Sequence, residues 1–193
     1  GGPSYLDYAS RGTTQEKGLE EMGRKLDFLE KAIRLIPGYK GYKRKEERRD
    51  NDQLLRMTLV KKLEHARSKG REITGGLRGP AALKAVTDLD RVDKRLEKLI
   101  DEIRFAARGY RGLFDMHKVR ENELDQLYRF DVELVENVQD VEKAIEELAA
   151  AARSELEMAP HIKAVVDLLM DFSEKMDSRS ELMIDLEKNT PAD

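Results

Sequence analysis

Residues 124–152 read LDQLYRFDVELVENVQDVEKAIEELAAAA, and this stretch decides the fold. Leu124, Leu127, Asp131, Leu134, Val138, Val141, Ile145, Leu148 and Ala152 follow one another at steps of three and four. That is the spacing of one face of a helix and not the alternation of a strand. Every slot but one is apolar. The exception, Asp131, is the kind of buried polar residue that fixes register at a cost in stability.

The same rhythm continues on both sides. Leu19, Met22, Leu26, Leu29, Ile33 and Ile36 form a first seam, opened by the capping-box pair Thr13 and Glu16 and closed by Pro37-Gly38. A second helix is expected from about Lys43 to Lys69, with Leu55, Leu59, Leu63 and Ala66 facing inward. Four glycines and a proline make residues 70–80 a loop. A third helix starts near Pro80 and carries Leu89, Val92, Leu96, Leu99, Ile103, Ala106 and Tyr110. The fourth starts near Asp115 and, if unbroken to Met158, spans roughly 65 Å at the α-helical rise. After Pro160 a fifth presents Ile162, Val165, Leu169, Phe172, Met176, Met183 and Leu186. Arg179 fills the slot between Met176 and Met183, which makes it a candidate partner for Asp131. The expected architecture is all-α: an elongated antiparallel bundle of two hairpins, 14–69 and 80–158, plus a C-terminal helix, 160–188. Residues 1–13 form a flexible N-terminal segment and 189–193 a frayed tail.

The two hairpins look duplicated. Gly38-Tyr39-Lys40-Gly41 returns as Gly109-Tyr110-Arg111-Gly112, and Asp52-Gln53-Leu54-Leu55-Arg56 returns as Asp125-Gln126-Leu127-Tyr128-Arg129. Gly38, Tyr39, Gly41, Gly109, Tyr110 and Gly112 are the structural turn residues on this reading, with both first glycines expected at positive φ. The aspartate and arginine of each copy stand at i and i+4, where side chains meet on a helix, and so tie each turn to its second helix. The run from Ile36 to Lys43, followed by Glu46–Arg49 and Asp52–Arg56, resembles an uncharacterised prokaryotic family of helical proteins with a Pro-Gly-Tyr-x-Gly-Tyr turn. Gly109-Tyr110 and residues 123–131 resemble that family's second signature. The resemblance covers roughly residues 20–135 and implies no activity.

Composition narrows the function classes. The chain has 193 residues, of which 39% are charged and none is Cys. A disulfide scaffold and a thiolate metal site are excluded, and a cytoplasmic location is expected. The apolar runs are far shorter than the ~20 residues that cross a bilayer. There is no phosphate-binding Gly-rich loop ending in Lys-Ser/Thr, no Gly-x-Ser-x-Gly elbow and no Glu-x-x-His pair of a di-iron bundle. No enzyme, cofactor, metal or small-molecule substrate is expected.

Two surfaces are candidates for binding. Lys40, Lys43, Arg44, Lys45, Arg48 and Arg49 crowd the first turn together with Tyr39 and Tyr42. They read either as an anion-binding patch for membrane or nucleic acid, or as tyrosines plugging the bundle end beneath solvated charges. Leu169, Phe172, Met176 and Met183 of the fifth helix, which lies outside the duplication, are expected at a subunit interface. Charge is also segregated. Residues 34–95 hold 18 basic and 9 acidic side chains, a net of +9, whereas residues 121–193 hold 7 and 20, a net of −13. The expected function is a non-enzymatic structural or protein-interaction module that self-associates. The alternative is a peripheral binder of an anionic surface.

Overall fold

The computed structural model describes residues 28–79, 82–106, 114, 119–154 and 156–188, and none of these lies in a strand. Helix α1 occupies 28–35 of the described chain. Four long helices follow: α2 (Lys45–Gly76), α3 (Ala82–Phe105), α4 (Glu121–Arg153) and α5 (Ala159–Lys188). The fold is an all-α bundle.

The four long helices form a ring, with α4 against α2 and α5, and α3 against α2 and α5. Side-chain pairs give their directions. Arg67 and Arg71 of α2 reach Asp93 of α3 while Arg104, later in α3, reaches back to Glu64, so these two run antiparallel. Asp131–Arg179 and Asn137–Asp171 show the same for α4 and α5. Lys62–Glu142 and Lys69–Glu146 advance together, so α2 and α4 are parallel. The last two pairs join the basic part of the chain to the acidic part within one molecule, as complementary helices lying side by side would. Each exposed one contributes only ~0.3–0.5 kcal/mol.

The described seam residues of α3, α4 and α5 are buried as their spacing requires, apart from Ala106 and Ala152 at the helix ends, which are partly buried. In α4 the buried face is broader than the seam and takes in Tyr128, Val132, Val135 and Ala144, because this helix is packed on two long neighbours and α1 at once. In α1 the small Ala32 faces inward with Ile36, which turns the seam residue Ile33 to the flank, 48% exposed.

Three features differ from the expected ones. Helix α2 does not stop at Lys69 but continues through Gly70, Gly75 and Gly76. Each glycine costs about 1 kcal/mol relative to alanine in a helix. Burial of Ile73 and the grip of Arg67 and Arg71 on Asp93 offset that cost. Helix α4 opens at Glu121, where the Glu123 side chain accepts the Arg120 backbone N–H at 2.8 Å. It closes at Arg153, directly after the alanine run, giving 33 residues, or about 50 Å at the α-helical rise, in place of the expected 65.

The third difference concerns α5, which closes the ring and does not stand outside a four-helix core. Leu169, Phe172 and Met183 are fully buried and Met176 nearly so. Their partners are α3 and α4 of the same chain. They are therefore core residues, and the expected subunit interface built from them is corrected.

Candidate functional site

The turn between α1 and α2 seals one end of the bundle. Its backbone reverses through Gly38 and Gly41, at φ of 83° and 90°. Only glycine takes that region without strain. Gly41 has a second constraint. A Cβ there would lie 2.7 Å from Tyr128 Oη and 3.1 Å from Leu29 Cδ1.

Asn51 fixes the turn to the first coils of α2. Its Oδ1 accepts the backbone N–H groups of Lys40 (2.6 Å) and Gly41 (3.2 Å), and its Nδ2 donates to the carbonyls of Gly41 and Glu47. Arg48 Nε donates to the Tyr42 carbonyl at 2.8 Å. Arg48 is buried, and burial lowers its pKa. It belongs to the framework under the patch, which corrects its assignment to an anion-binding surface.

Tyr39 and Tyr42 point inward, as bundle plugs. Both phenols donate to Asp131 Oδ2, at 2.6 and 2.7 Å. Arg179 Nε donates to Asp131 Oδ1 at 2.8 Å, and its Nη2 donates to Tyr42 Oη (2.9 Å) and Asp52 Oδ1 (3.0 Å). Arg56 holds the other Asp52 oxygen at 2.8 Å. Two carboxylates and two guanidiniums thus alternate through the core from α4 to α5 to α2. The rings of Tyr39, Tyr42 and Tyr128 pack around them, Tyr42 stacked on Tyr128 and Tyr39 edge-on to Tyr42.

Burial is the largest influence on Asp131, Tyr39 and Tyr42. It pushes the Asp131 carboxyl above the usual carboxylate range, against the opposing pull of Arg179 and the phenols. It raises Tyr39 and Tyr42 well above an ordinary phenol, with Asp131 adding to the effect, so both remain protonated donors. Three donors aimed at one carboxyl are the partner set of the ionised form. The arrangement is a structural lock with no solvent path: Asp52, Asp131 and Arg179 are each 0% exposed.

The second copy of the motif differs where it is described. Asp52 pairs with Arg56, as the i, i+4 spacing requires. Arg129 instead reaches forward to Glu133 at 2.7 Å, while Asp125 precedes it by a turn. Gly109, Tyr110 and Gly112 lie outside the described residues.

Outside the lock, Lys40, Lys43, Arg44 and Arg49 are exposed on the pinned turn and the first coil of α2, and Lys45 is half-buried. Lys40 and Arg44 lie loosely beside Glu47, at 3.7 and 3.9 Å, and the Arg49 guanidinium stands 5.4 Å over the Phe114 ring. An open groove of about 880 Å³ runs along α2 past Leu54, Met57 and Val60, and its rim charges pair within the chain, Lys62 with Glu142 and Arg104 with Glu64. Among the described residues no group of three or more His, Asp or Glu side chains is placed to hold a metal ion, and no helix is long and apolar enough to cross a membrane.

Asp131 and Arg179 announce themselves as charged residues in apolar slots. Asp52 and Arg48 give a subtler signal, since they continue the Leu63, Leu59, Leu55 stripe toward the N-terminus at steps of three and four. Asn51 gives none, because its role depends on the path of the turn. Compared with protein-family models, with curated proteins and with solved structures, the chain matches none.

Proposed function

We propose that this chain is a non-enzymatic structural and protein-interaction module, cytoplasmic and self-associating. The observation that carries the reading is the sealed lock. The most chemically capable residues of the chain, Asp52, Asp131, Arg179, Tyr39 and Tyr42, bond to one another inside the core and hold a turn in place. What they produce at the surface is a rigid bundle end of defined charge. Rigid presentation lowers the ordering cost of binding, and exposed charge of one sign steers a partner of the other. Light scattering of the full chain over a wide concentration range tests this. A mass above 22.2 kDa that rises with concentration is expected, and a single-chain mass throughout overturns self-association.

A second reading rests on the exposed bases of the turn. Lys40, Lys43 and Arg44 on an immobilised backbone suit a phosphate-bearing surface, whether membrane or nucleic acid. Binding to anionic vesicles and to duplex DNA across salt concentrations tests it. Replacing the three bases with glutamine then weakens binding and flattens its salt dependence, and unchanged binding rejects the patch.

A further inference from the structure

The buried lock has an external consequence. Because Arg179 hydrogen-bonds Tyr42 and Asp52, the C-terminal half of α5 lies at the same end of the bundle as the basic turn. The outer face of α5 at that level carries Glu174, Asp177 and Glu181, at steps of three and four, followed by Ile184. All four are exposed, Ile184 to 36%. One bundle end therefore displays a cluster of cations and a stripe of anions. Among the described residues no ion pair joins Lys40, Lys43 or Arg44 to Glu174, Asp177 or Glu181, and these three acids make no ion pair elsewhere.

We infer that this α5 face docks on the basic turn of a second copy of the chain, and that the contact is made twice about a two-fold axis. The inference rests on the self-association proposed above and names its surfaces. The occupant is argued from charge. A surface carrying both a Lys40–Lys43–Arg44 cluster and a Glu174–Asp177–Glu181 stripe is complementary to itself after a half-turn, so both contacts form at once and the assembly closes at two copies. Ile184 adds an apolar element beside the acids. Individual exposed ion pairs contribute little, and salt screens them over about 8–10 Å. The dimer is accordingly weak and salt-sensitive.

The test is charge exchange between copies, read as mass in solution. The wild-type chain at low salt reads as two copies and falls toward 22.2 kDa as salt is added. Lys43→Glu/Arg44→Glu, which reverses the turn, reads as one copy, and so does Asp177→Lys/Glu181→Lys. An equimolar mixture of these two variants recovers two copies, because every turn then meets a stripe of opposite sign. The milder Lys43→Gln/Arg44→Gln loses part of the dimer. A wild type that associates while both reversals leave its mass unchanged overturns these surfaces and spares self-association. A mixture that stays single overturns the pairing, and a mass climbing past two copies overturns the two-fold closure. A wild type of single-chain mass at low salt and high concentration overturns both the inference and the reading beneath it.

Discussion

Arg179 Nε lies 2.8 Å from Asp131 Oδ1, forty-eight residues away along the chain, and neither side chain is touched by solvent. Removing one member of such a pair leaves a buried charge without its counterion, which costs about 3–5 kcal/mol. Arg179→Met should therefore lower the urea-unfolding free energy by that amount, and Asp131→Leu should cost a similar sum. Replacing both at once by these apolar residues should cost clearly less than the two single losses together, since no charge is then stranded between the pair. Strict additivity in this double-mutant cycle would mean that the two do not share an interaction.

Gly41 should be the least replaceable glycine of the turn. Alanine at a positive φ loses roughly 1 kcal/mol, and forcing a Cβ against Tyr128 Oη and Leu29 adds about 1–3 kcal/mol of overpacking. Gly38→Ala meets only Leu54 Cδ1 at 3.5 Å, an ordinary contact, and should lose about 1 kcal/mol. Thermal or urea unfolding of the two variants gives the comparison. Equal losses would show that backbone strain alone decides both sites.

Much of this was legible in the sequence where a residue's role follows from its place in a seam. The spacing of α3, α4 and α5 specifies their buried faces, and Asp131 and Arg179 are conspicuous because they break an apolar pattern. For the turn tyrosines the sequence leaves two readings open, and the buried phenols on Asp131 take the side of bundle plugs. What failed were judgements that need three-dimensional neighbours. Gly70, Gly75 and Gly76 read as a loop by local preference, but Asp93 and the core around Ile73 hold them in α2. The duplication suggested a four-helix core without α5, whereas α5 supplies one wall of the ring and the key of its lock. Arg48 reads by sequence as one more base in a patch, whereas its guanidinium bonds the Tyr42 carbonyl beneath it.

Asp93 should give the chain an acid-sensitive joint. Its hydrogen bond from Arg67, aided by Arg71, holds its carboxyl down to about 2, below its unfolded value near 4. A depressed carboxylate contributes stability that is complete above the unfolded pKa and is lost as pH falls through the folded one. Its share, discounted for partial solvent screening, is on the order of 1 kcal/mol. Unfolding free energies of wild type and Asp93→Asn should therefore differ by a constant above pH 5 and converge between pH 4 and 2. A difference that persists unchanged at pH 2 would exclude this carboxylate as its source.

Ending the chain after Glu157 should unfold the bundle. Four α5 residues, Val165, Leu169, Phe172 and Met183, are fully buried, and covering each such side chain is worth about 1.5–3 kcal/mol. Their loss also bares the α4 face that they cover. The polar cost comes on top. Without Arg179, Asp131 keeps only its phenol donors and Asp52 keeps only Arg56, while both carboxylates sit in what was the core. The combined loss exceeds the ~5–15 kcal/mol by which domains of this size are stable. Circular dichroism of the truncated chain should show weak helicity without a cooperative melt. A truncated chain that melts cooperatively with native-like helicity would place α5 outside the core after all.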